Sequence, residues 1–281
     1  MILRNDMNKP YVDLHVHSYY SDGSMSPKEI VNSAVENSVG ILAIADHDVL
    51  TGSIELKQLC LDNDIKYVPA VEIDTAELNR NYHILAYGFD IDNSGFRDFI
   101  KHTRFCLDEM SIKLIELMQN EYENISLDEF FKYVYDRTLG GWSALHYLMD
   151  KGLSTSLKGG IRYYTDYNLL YSLAGFSTVS ATTHRIKDNG GYSILAHPGE
   201  VIDTSDVKCF TDELRRLIAF GLDGIECYYP THTEAITQAC LDICYENNLM
   251  ITSGSDCHGV FGSSTVGGMK ILPNILNLRD L

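Results

Sequence analysis

The chain has 281 residues and 45% hydrophobic content, which suits a soluble globular protein with one large domain or a domain plus an insertion. Its 39 acidic and 22 basic residues give a net charge of −17, so we expect it to repel phosphate backbones and to bind no long nucleic acid. The seven cysteines lack the paired spacing of a zinc site, so we expect reduced thiols in a cytoplasmic protein. The sequence has no apolar leader and no run of about 18 apolar residues, which predicts no signal peptide and no membrane span.

Strand and helix patterns alternate over the first 90 residues. Residues 11–18 alternate apolar and polar side chains, so Asp13, His15 and His17 share one face of a strand. The Ser-Pro-Lys-Glu sequence at 26–29 has the pattern of a capped helix N-terminus. The elements predicted here are helices at about 27–38 and 51–63 and strands at 41–45, 67–72 and 83–87.

The alternation stops at about residue 95, and helical patterns then follow one another without strands as far as residue 176. We interpret this segment as a helical insertion that caps the mouth of a barrel, with helices at about 96–120, 126–137 and 141–151. Strand patterns return at 192–197, 224–228 and 249–253, with helices near 177–189, 210–220 and 232–247.

Seven strands with interleaved helices predict an α/β fold, specifically an incomplete seven-stranded (β/α) barrel. The predicted division of the chain is a barrel at 10–94 and 177–265, an insertion at 95–176 and a C-terminal tail at 266–281.

Histidines and carboxylates recur at or just after the ends of these strands. They are His15, His17, Asp22, His47, Glu72, His83, His197, Asp256 and His258. Because parallel α/β barrels place their chemistry at the carboxyl ends of the strands, we expect these side chains to converge. Imidazole and carboxylate without thiolate suit Zn²⁺, Mn²⁺ or Fe²⁺, and nine ligands exceed the need of one ion, so the pattern predicts two or three divalent ions. Glu226 is either a further ligand or the partner of a donor inside the barrel.

The motifs that carry these residues resemble the PHP (polymerase and histidinol phosphatase) family. The resemblance rests on residues 13–18, 21–23, 45–48, 71–72, 196–198 and 254–258, with His83 as an additional ligand position. Within the family, the insertion is most similar to small bacterial phosphoesterases that remove the 3′-phosphate from nucleoside 3′,5′-bisphosphates or trim RNA 5′ ends. The resemblance therefore implies a metal-dependent hydrolase that acts on a small phosphorylated substrate, with a nucleotide as the first candidate.

The resemblance also implies how the ligands are shared among metal ions. The implied sets are His15, His17, Glu72 and Asp256; Glu72, His83 and His197; and Asp22, His47 and His258. Glu72 would bridge the first two ions. Asp22 stands where some relatives have histidine, which favours Mn²⁺ or Fe²⁺ over Zn²⁺. Asp13 and Asp48 are expected to orient imidazoles without binding metal.

The predicted mechanism is in-line hydrolysis of a phosphomonoester by a metal-bridged hydroxide. The residues predicted to hold this hydroxide are Glu72, His15, His17 and Asp256. Two alternatives stay open: a histidinol-phosphate phosphatase or amidohydrolase-like enzyme, and a non-catalytic PHP module with a binding or regulatory role. The retention of all nine ligand positions argues against the non-catalytic module.

The insertion departs from the pattern of the nucleotide-phosphatase relatives. Where those relatives carry Gly-Arg-Pro-His, residues 141–144 of this chain read Gly-Trp-Ser-Ala, so the arginine and histidine are missing. The candidates for substrate contact are His232, Arg162 and Lys158, followed by Arg185 and His146. The oligomeric state cannot be predicted from the sequence.

Overall fold

The computed structural model describes residues 10–281, and in these residues eight strands form two sheets. The strands are β1 (Tyr11–Asp13), β2 (Val39–Leu42), β3 (Lys66–Tyr67), β4 (Ala70–Glu77), β5 (Arg80–Tyr87), β6 (Tyr192–Leu195), β7 (Gly224–Tyr228) and β8 (Met250–Ser253). The α/β class predicted from the sequence is confirmed. The N-terminal residues 1–9, on which the expectation of no signal peptide depends, lie outside the described range.

The first sheet is parallel and has the order β1-β2-β3. Helix α1 (Pro27–Glu36) connects β1 to β2, and its predicted capping box is present. The Ser26 hydroxyl accepts a hydrogen bond from the amide of Glu29, and the Glu29 carboxylate accepts one from the amide of Ser26. Helix α2 (Thr51–Asp62) connects β2 to β3. These crossovers direct the carboxyl ends of β1 and β2 toward the same edge of the sheet.

The second sheet has the order β4-β5-β6-β7-β8 and is mixed. Strands β4 and β5 form an antiparallel hairpin, β5 pairs antiparallel with β6, and the last three strands are parallel. Over the described residues neither sheet closes on itself, so the predicted seven-stranded barrel is not confirmed. The strand predicted at 67–72 is divided at Pro69, whose ring and missing N–H end β3 before β4 begins in the other sheet.

Isolated backbone bridges connect the two sheets around the cluster of predicted ligands. Val16, beyond the end of β1, pairs with Cys257 beyond the end of β8, and His47, beyond the end of β2, pairs with Glu72 in β4. The four bridge residues belong to four different motifs among those that the sequence singled out. The pairing therefore brings motifs from both sheets to a common position.

The remaining helices are α3 (Ser94–Met118), α4 (Leu127–Phe130), α5 (Ser143–Asp150), α6 (Arg162–Asp166), α7 (Val179–Asp188), α8 (Pro198–Val201), α9 (Val207–Ile218) and α10 (Glu234–Asn247). Helices α3 to α6 share a hydrophobic cluster that includes Leu114, Phe130, Tyr147 and Tyr163. The helix predicted at 126–137 is only one turn long, and α6 is a helix beyond the three that the sequence predicted in this segment. In residues 10–281 no helix is both long enough and apolar enough to span a bilayer.

Candidate metal centre

His15 and His17 follow β1, and backbone hydrogen bonds to the loop after β8 fix both residues. The amide of His17 donates to the carbonyl of Cys257 at 3.0 Å, and the amide of Asp256 donates to the carbonyl of His15 at 2.8 Å. Both imidazoles are buried, and their Nε2 atoms lie 3.1 Å apart. The two rings thus project to the same side, as the alternation of the sequence indicates.

Glu72 lies in the middle of the cluster, and each of its carboxylate oxygens faces imidazole nitrogens. Its Oε2 atom lies 3.2 Å from Nε2 of His15, 3.2 Å from Nε2 of His17 and 3.3 Å from Nε2 of His47. Its Oε1 atom lies 3.0 Å from Nδ1 of His83 and 2.9 Å from Nε2 of His197. One buried carboxylate therefore contacts two groups of imidazoles through different oxygens, which is suitable geometry for a bridging ligand.

Asp256 and Asp22 provide the other two carboxylates. The Oδ1 atom of Asp256 lies 3.0 Å from Nε2 of His17, and the Oδ2 atom of Asp22 lies 3.2 Å from Nε2 of His258. The hydroxyl of Tyr229 donates to the other oxygen of Asp256 at 2.7 Å. Tyr229 was not singled out in the sequence, although its position directly after β7 was a signal.

All nine predicted ligands occur in groups whose ligand atoms lie within 4.8 Å of one another. The groups are His17, Asp22, His47 and His258; His15, His17 and Asp256; His15, Glu72 and His197; and His47, Glu72 and His83. Four of the residues belong to two groups each: His15, His17, His47 and Glu72. Groups that share ligands can hold ions close together, as in a multinuclear centre.

The donor set fits divalent cations. The Oε2 atom of Glu72 is buried and accepts no hydrogen bond from the residues that the structure describes. Three imidazole nitrogens lie around it. A buried carboxylate oxygen without a partner is costly in free energy. A cation among these nitrogens would use the lone pairs of both the oxygen and the imidazoles.

Without an ion, the ligands of the centre pair with one another electrostatically. Burial opposes the charge of His15, but Glu72 and other carboxylates outweigh this effect and raise the pKa of His15 well above its usual value. Burial also opposes the charge of Glu72, yet His47 and its neighbours hold the pKa of that carboxyl well below its usual range. Burial opposes the charge of His258, but Asp22 raises its pKa to about 9. Metal ions must displace the protons from these imidazoles, so metal binding should strengthen as the pH rises.

Glu226 lies behind the ligands and is fully buried. Its carboxylate accepts a hydrogen bond from Nδ1 of His15 at 3.1 Å and another from the backbone amide of His197 at 2.9 Å. The structure thus agrees with the second of the two interpretations that the sequence left open, in which Glu226 pairs with a donor. A contact of this kind fixes the tautomer and the ring orientation of a metal-binding histidine.

Asp74 contacts two other imidazoles of the cluster. Its Oδ2 atom lies 3.2 Å from Nδ1 of His47, and its Oδ1 atom lies 3.3 Å from Nε2 of His83. In the β4–β5 hairpin, Asp74 pairs directly with His83. The sequence analysis missed Asp74, although its place two residues after Glu72 on the same face of β4 was a usable signal.

Asp13 and Asp48 contact backbone amides. Asp13 accepts hydrogen bonds from the amides of Ser255 and Gly267 at 2.9 and 2.7 Å, and Asp48 accepts one from the amide of Asp74 at 3.3 Å. Burial raises the pKa of Asp13 to about 6 in spite of these hydrogen bonds. Both side chains therefore restrain the backbone beside the predicted ligands. The imidazole contacts that were expected of Asp13 and Asp48 are made by Glu226 and Asp74.

Two of the ligand residues have a left-handed backbone conformation. His197 has a φ of 27° and Asp256 a φ of 49°. Such conformations cost roughly 1–3 kcal/mol each and persist where the surrounding structure holds them. At His197, the amide that donates to Glu226 provides part of this restraint.

A cavity of about 320 Å³ separates the ligands from the inserted helices. Asp22, His47, Asp74 and His83 line one side of it. The rest of the lining combines aromatic and apolar side chains with polar ones: Leu107, Met110, Trp142, Ile161, Tyr164, Leu169 and Tyr171, and Ser21, Arg104, Asp108, Ser111, Ser143 and Thr165. Among the described residues, Arg104 of α3 is the only Lys or Arg side chain that lines this cavity. A cavity of about 480 Å³ elsewhere is lined by none of the nine ligands.

The three candidates for substrate contact lie outside the lining of this cavity. In His232, Nδ1 lies 3.0 Å from the carbonyl oxygen of Cys227, and Nε2 accepts a hydrogen bond from the amide of Gly199. Both nitrogens of His232 therefore anchor backbone. Arg162 lies over the ring of Tyr163, and Lys158 lies over the ring of Phe261. Of the secondary candidates, His146 is buried against the carbonyl of Gly140 and Arg185 lies over the ring of Phe99.

A family model described as the PHP domain matches residues 13–164 of the chain. Among curated proteins, a phosphoribosyl 1,2-cyclic phosphate 1,2-diphosphodiesterase of Eggerthella lenta is 27% identical over 92% of this chain and 98% of its own length. A 5′-3′ exoribonuclease of Haemophilus influenzae is 26% identical over 90% of this chain and 91% of its own length. A 3′,5′-nucleoside bisphosphate phosphatase of Chromobacterium violaceum is 24% identical, covering 94% and 93%.

Two solved structures share the fold. A presumed metal-dependent phosphoesterase of Bifidobacterium adolescentis superposes with a TM-score of 0.72 at 21% identity, covering 91% of this chain and 90% of the other. An amidohydrolase of Chromobacterium violaceum superposes with the same TM-score of 0.72 at 21% identity, covering 88% and 87%. At this level of identity the likeness concerns the fold alone.

Proposed function

The chain belongs to the PHP domain family, and on that premise we propose a substrate for its metal-dependent phosphoesterase activity: a small phosphomonoester, with a nucleoside 3′,5′-bisphosphate as the first candidate. The observation that carries the proposal is the cavity that predicted metal ligands line together with aromatic and apolar side chains. A nucleotide has the matching two parts, a phosphate group and a planar base.

We further propose three divalent ions, held by the ligand sets that the family resemblance implies. When bound, such ions activate water and neutralise charge on a phosphoryl group. Glu72 would link two of the sites through its two oxygens. Asp22, a carboxylate at a position where the family resemblance also allows histidine, favours Mn²⁺ or Fe²⁺ over Zn²⁺.

The residues behind the ligands keep the centre in a single arrangement. Glu226 holds the imidazole of His15, Asp74 holds those of His47 and His83, and Tyr229 holds one oxygen of Asp256. These contacts restrain the orientation of the imidazoles and of the Asp256 carboxylate, which favours binding of ions and substrate with little reorganisation.

Size and charge favour a small substrate over a long one. The net charge of −17 disfavours a long nucleic-acid footprint, and the cavity of about 320 Å³ is at the small end of the range for small-molecule sites. The exoribonuclease relatives provide the specific reason to test RNA as a second candidate.

The test uses metal-stripped protein reloaded with Mn²⁺. Values of kcat/KM are compared for adenosine 3′,5′-bisphosphate, histidinol phosphate, a short 5′-phosphorylated RNA and an amide substrate. We expect the bisphosphate to have the highest value. A clear preference for RNA that depends weakly on salt would show that the insertion recognises RNA ends, and turnover of the amide alone would overturn the phosphoesterase assignment.

A further inference from the structure

A second cavity, of about 400 Å³, adjoins the first and contains none of the nine ligands. It lies between the start of α2 and the first half of α3, where Leu50, Thr51 and Ile100 contribute to its walls. Arg104 and Asp108 line both cavities. The two spaces are therefore neighbours that share the wall in which Arg104 stands.

Three cations of α3 line this second cavity: Arg97, Lys101 and Arg104. Their spacing of four and three residues places them on one face of the helix. The acidic residues Asp48 and Asp108 also line the cavity, so three cationic side chains face two acidic ones and leave a small excess of positive charge. Helix α2 begins at the same wall, and its N-cap Leu50 makes no side-chain capping bond, so the positive end of the helix dipole adds to that charge.

Each of these cations pairs with an acidic residue that is largely exposed. The pairs are Arg97 with Asp92 at 2.7 Å, Lys101 with Asp98 at 3.3 Å and Arg104 with Asp108 at 3.0 Å. Exposed pairs of this kind contribute little to stability and exchange readily. A phosphate group that enters the cavity can replace the carboxylates, because a guanidinium binds phosphate through two parallel hydrogen bonds.

We propose that this second cavity is an anionic subsite that holds a second phosphate group of the substrate, with Arg104 at the boundary between the two phosphate positions. The inference rests on the proposed function, since it takes the metal centre as the position of the phosphate that is removed. Asp108 pairs with Arg104 when the subsite is empty, and a phosphate that enters the subsite must replace it.

Two nucleotides that differ in a single phosphate test the subsite: adenosine 3′,5′-bisphosphate and adenosine 3′-monophosphate. We measure both kcat/KM on the Mn²⁺-loaded chain and binding by isothermal titration calorimetry. The expected preference for the bisphosphate should weaken with salt. Arg104→Gln and the double variant Arg97→Gln/Lys101→Gln should each lower this preference roughly tenfold or more, through KM, because each removes charge-assisted hydrogen bonds to phosphate.

Asp108→Asn should act in the opposite direction and increase the preference for the bisphosphate, since it frees Arg104. Lys113→Gln is the matched control, because Lys113 lies on the same helix, pairs with Glu116 and lines neither cavity. It should change neither value. Equal losses for both nucleotides in the Arg104 and Arg97/Lys101 variants, or no loss, would overturn the subsite. If neither nucleotide is hydrolysed, the proposed function fails, and the binding data still decide on the subsite.

Discussion

Removing the carboxylate of Glu226 is the sharpest test of how the centre is held together. In Glu226→Ala, Nδ1 of His15 and the amide of His197 both lose their acceptor in a site closed to water. A buried donor without a partner costs about 1–3 kcal/mol, so we expect a loss of about 2–6 kcal/mol in the free energy of unfolding. That is a large part of the roughly 5–15 kcal/mol that stabilises a typical domain.

The same change should weaken metal binding, because His15 loses the contact that fixes its ring. Loss of a partner behind a metal-binding histidine typically reduces metal affinity or activity about 10–100-fold. Glu226→Gln is the control: it keeps the volume of the side chain and one acceptor oxygen. Because its amide nitrogen cannot accept, one of the two donors loses its partner, so we expect a loss of about 1–3 kcal/mol, smaller than in Glu226→Ala, together with weaker Mn²⁺ binding.

Three measurements check these expectations: chemical unfolding of the metal-stripped protein, Mn²⁺ titration, and kcat/KM for a phosphomonoester after reloading. Unchanged Mn²⁺ affinity in Glu226→Ala would refute the idea that Glu226 orients His15. Loss of a whole ion per chain in Glu226→Gln would instead make Glu226 a ligand.

Other residues of the centre give further predictions. Glu72→Ala should lose more than one ion per chain by elemental analysis, since its two oxygens face different imidazoles; full metal content would exclude a bridging role. Asp256→Ala should abolish turnover while circular dichroism stays native, and activity near that of the wild type would contradict its role as a ligand. In metal-stripped protein, the stabilisation from protonated His258 is fully present below about pH 6.5 and is lost as the pH rises through about 9, because the folded state holds that proton more tightly. The melting temperature of the metal-stripped protein should therefore fall between about pH 6.5 and about pH 9. A rise over this interval would contradict the ion pair of His258 with Asp22.

The convergence of the nine predicted ligands could be anticipated from the sequence because most of them lie in short motifs at strand ends. Alternation along one strand is enough to place His15 and His17 together. The sequence also carried the capping box that starts α1, because its residues interact locally. Features of this kind do not depend on which distant segment packs against them.

The sheet arrangement could not be predicted in the same way. The hairpin of β4 and β5 turns at Leu78 and Asn79, both with positive φ, and leucine is an unusual residue in such a turn. Without that signal, the two strands looked like members of a parallel series. The break at Pro69 was visible in the sequence, but its meaning, a change from one sheet to the other, depends on long-range pairing.

The substrate side of the cavity was also beyond the sequence, because helical periodicity shows that α3 has an apolar face but not where its polar face points. Arg104 lines the cavity, whereas Lys158 and Arg162, which seemed better placed in the sequence, lie against aromatic rings outside it. Where relatives carry an arginine, Trp142 lines the cavity. A cation nevertheless lines this cavity, and it lies on α3: Arg104.

This separation of metal centre and recognition surface explains why family membership alone does not identify the substrate. Relatives named for a cyclic phosphate, for RNA and for a nucleoside bisphosphate match this chain at 24–27% identity over most of their length. If chains of one family act on such different phosphate esters, the metal centre cannot be what distinguishes them. We therefore expect the discrimination to come from other residues of the cavities; in this chain Arg104 and Trp142 line the first cavity, and Arg97 and Lys101 line the second.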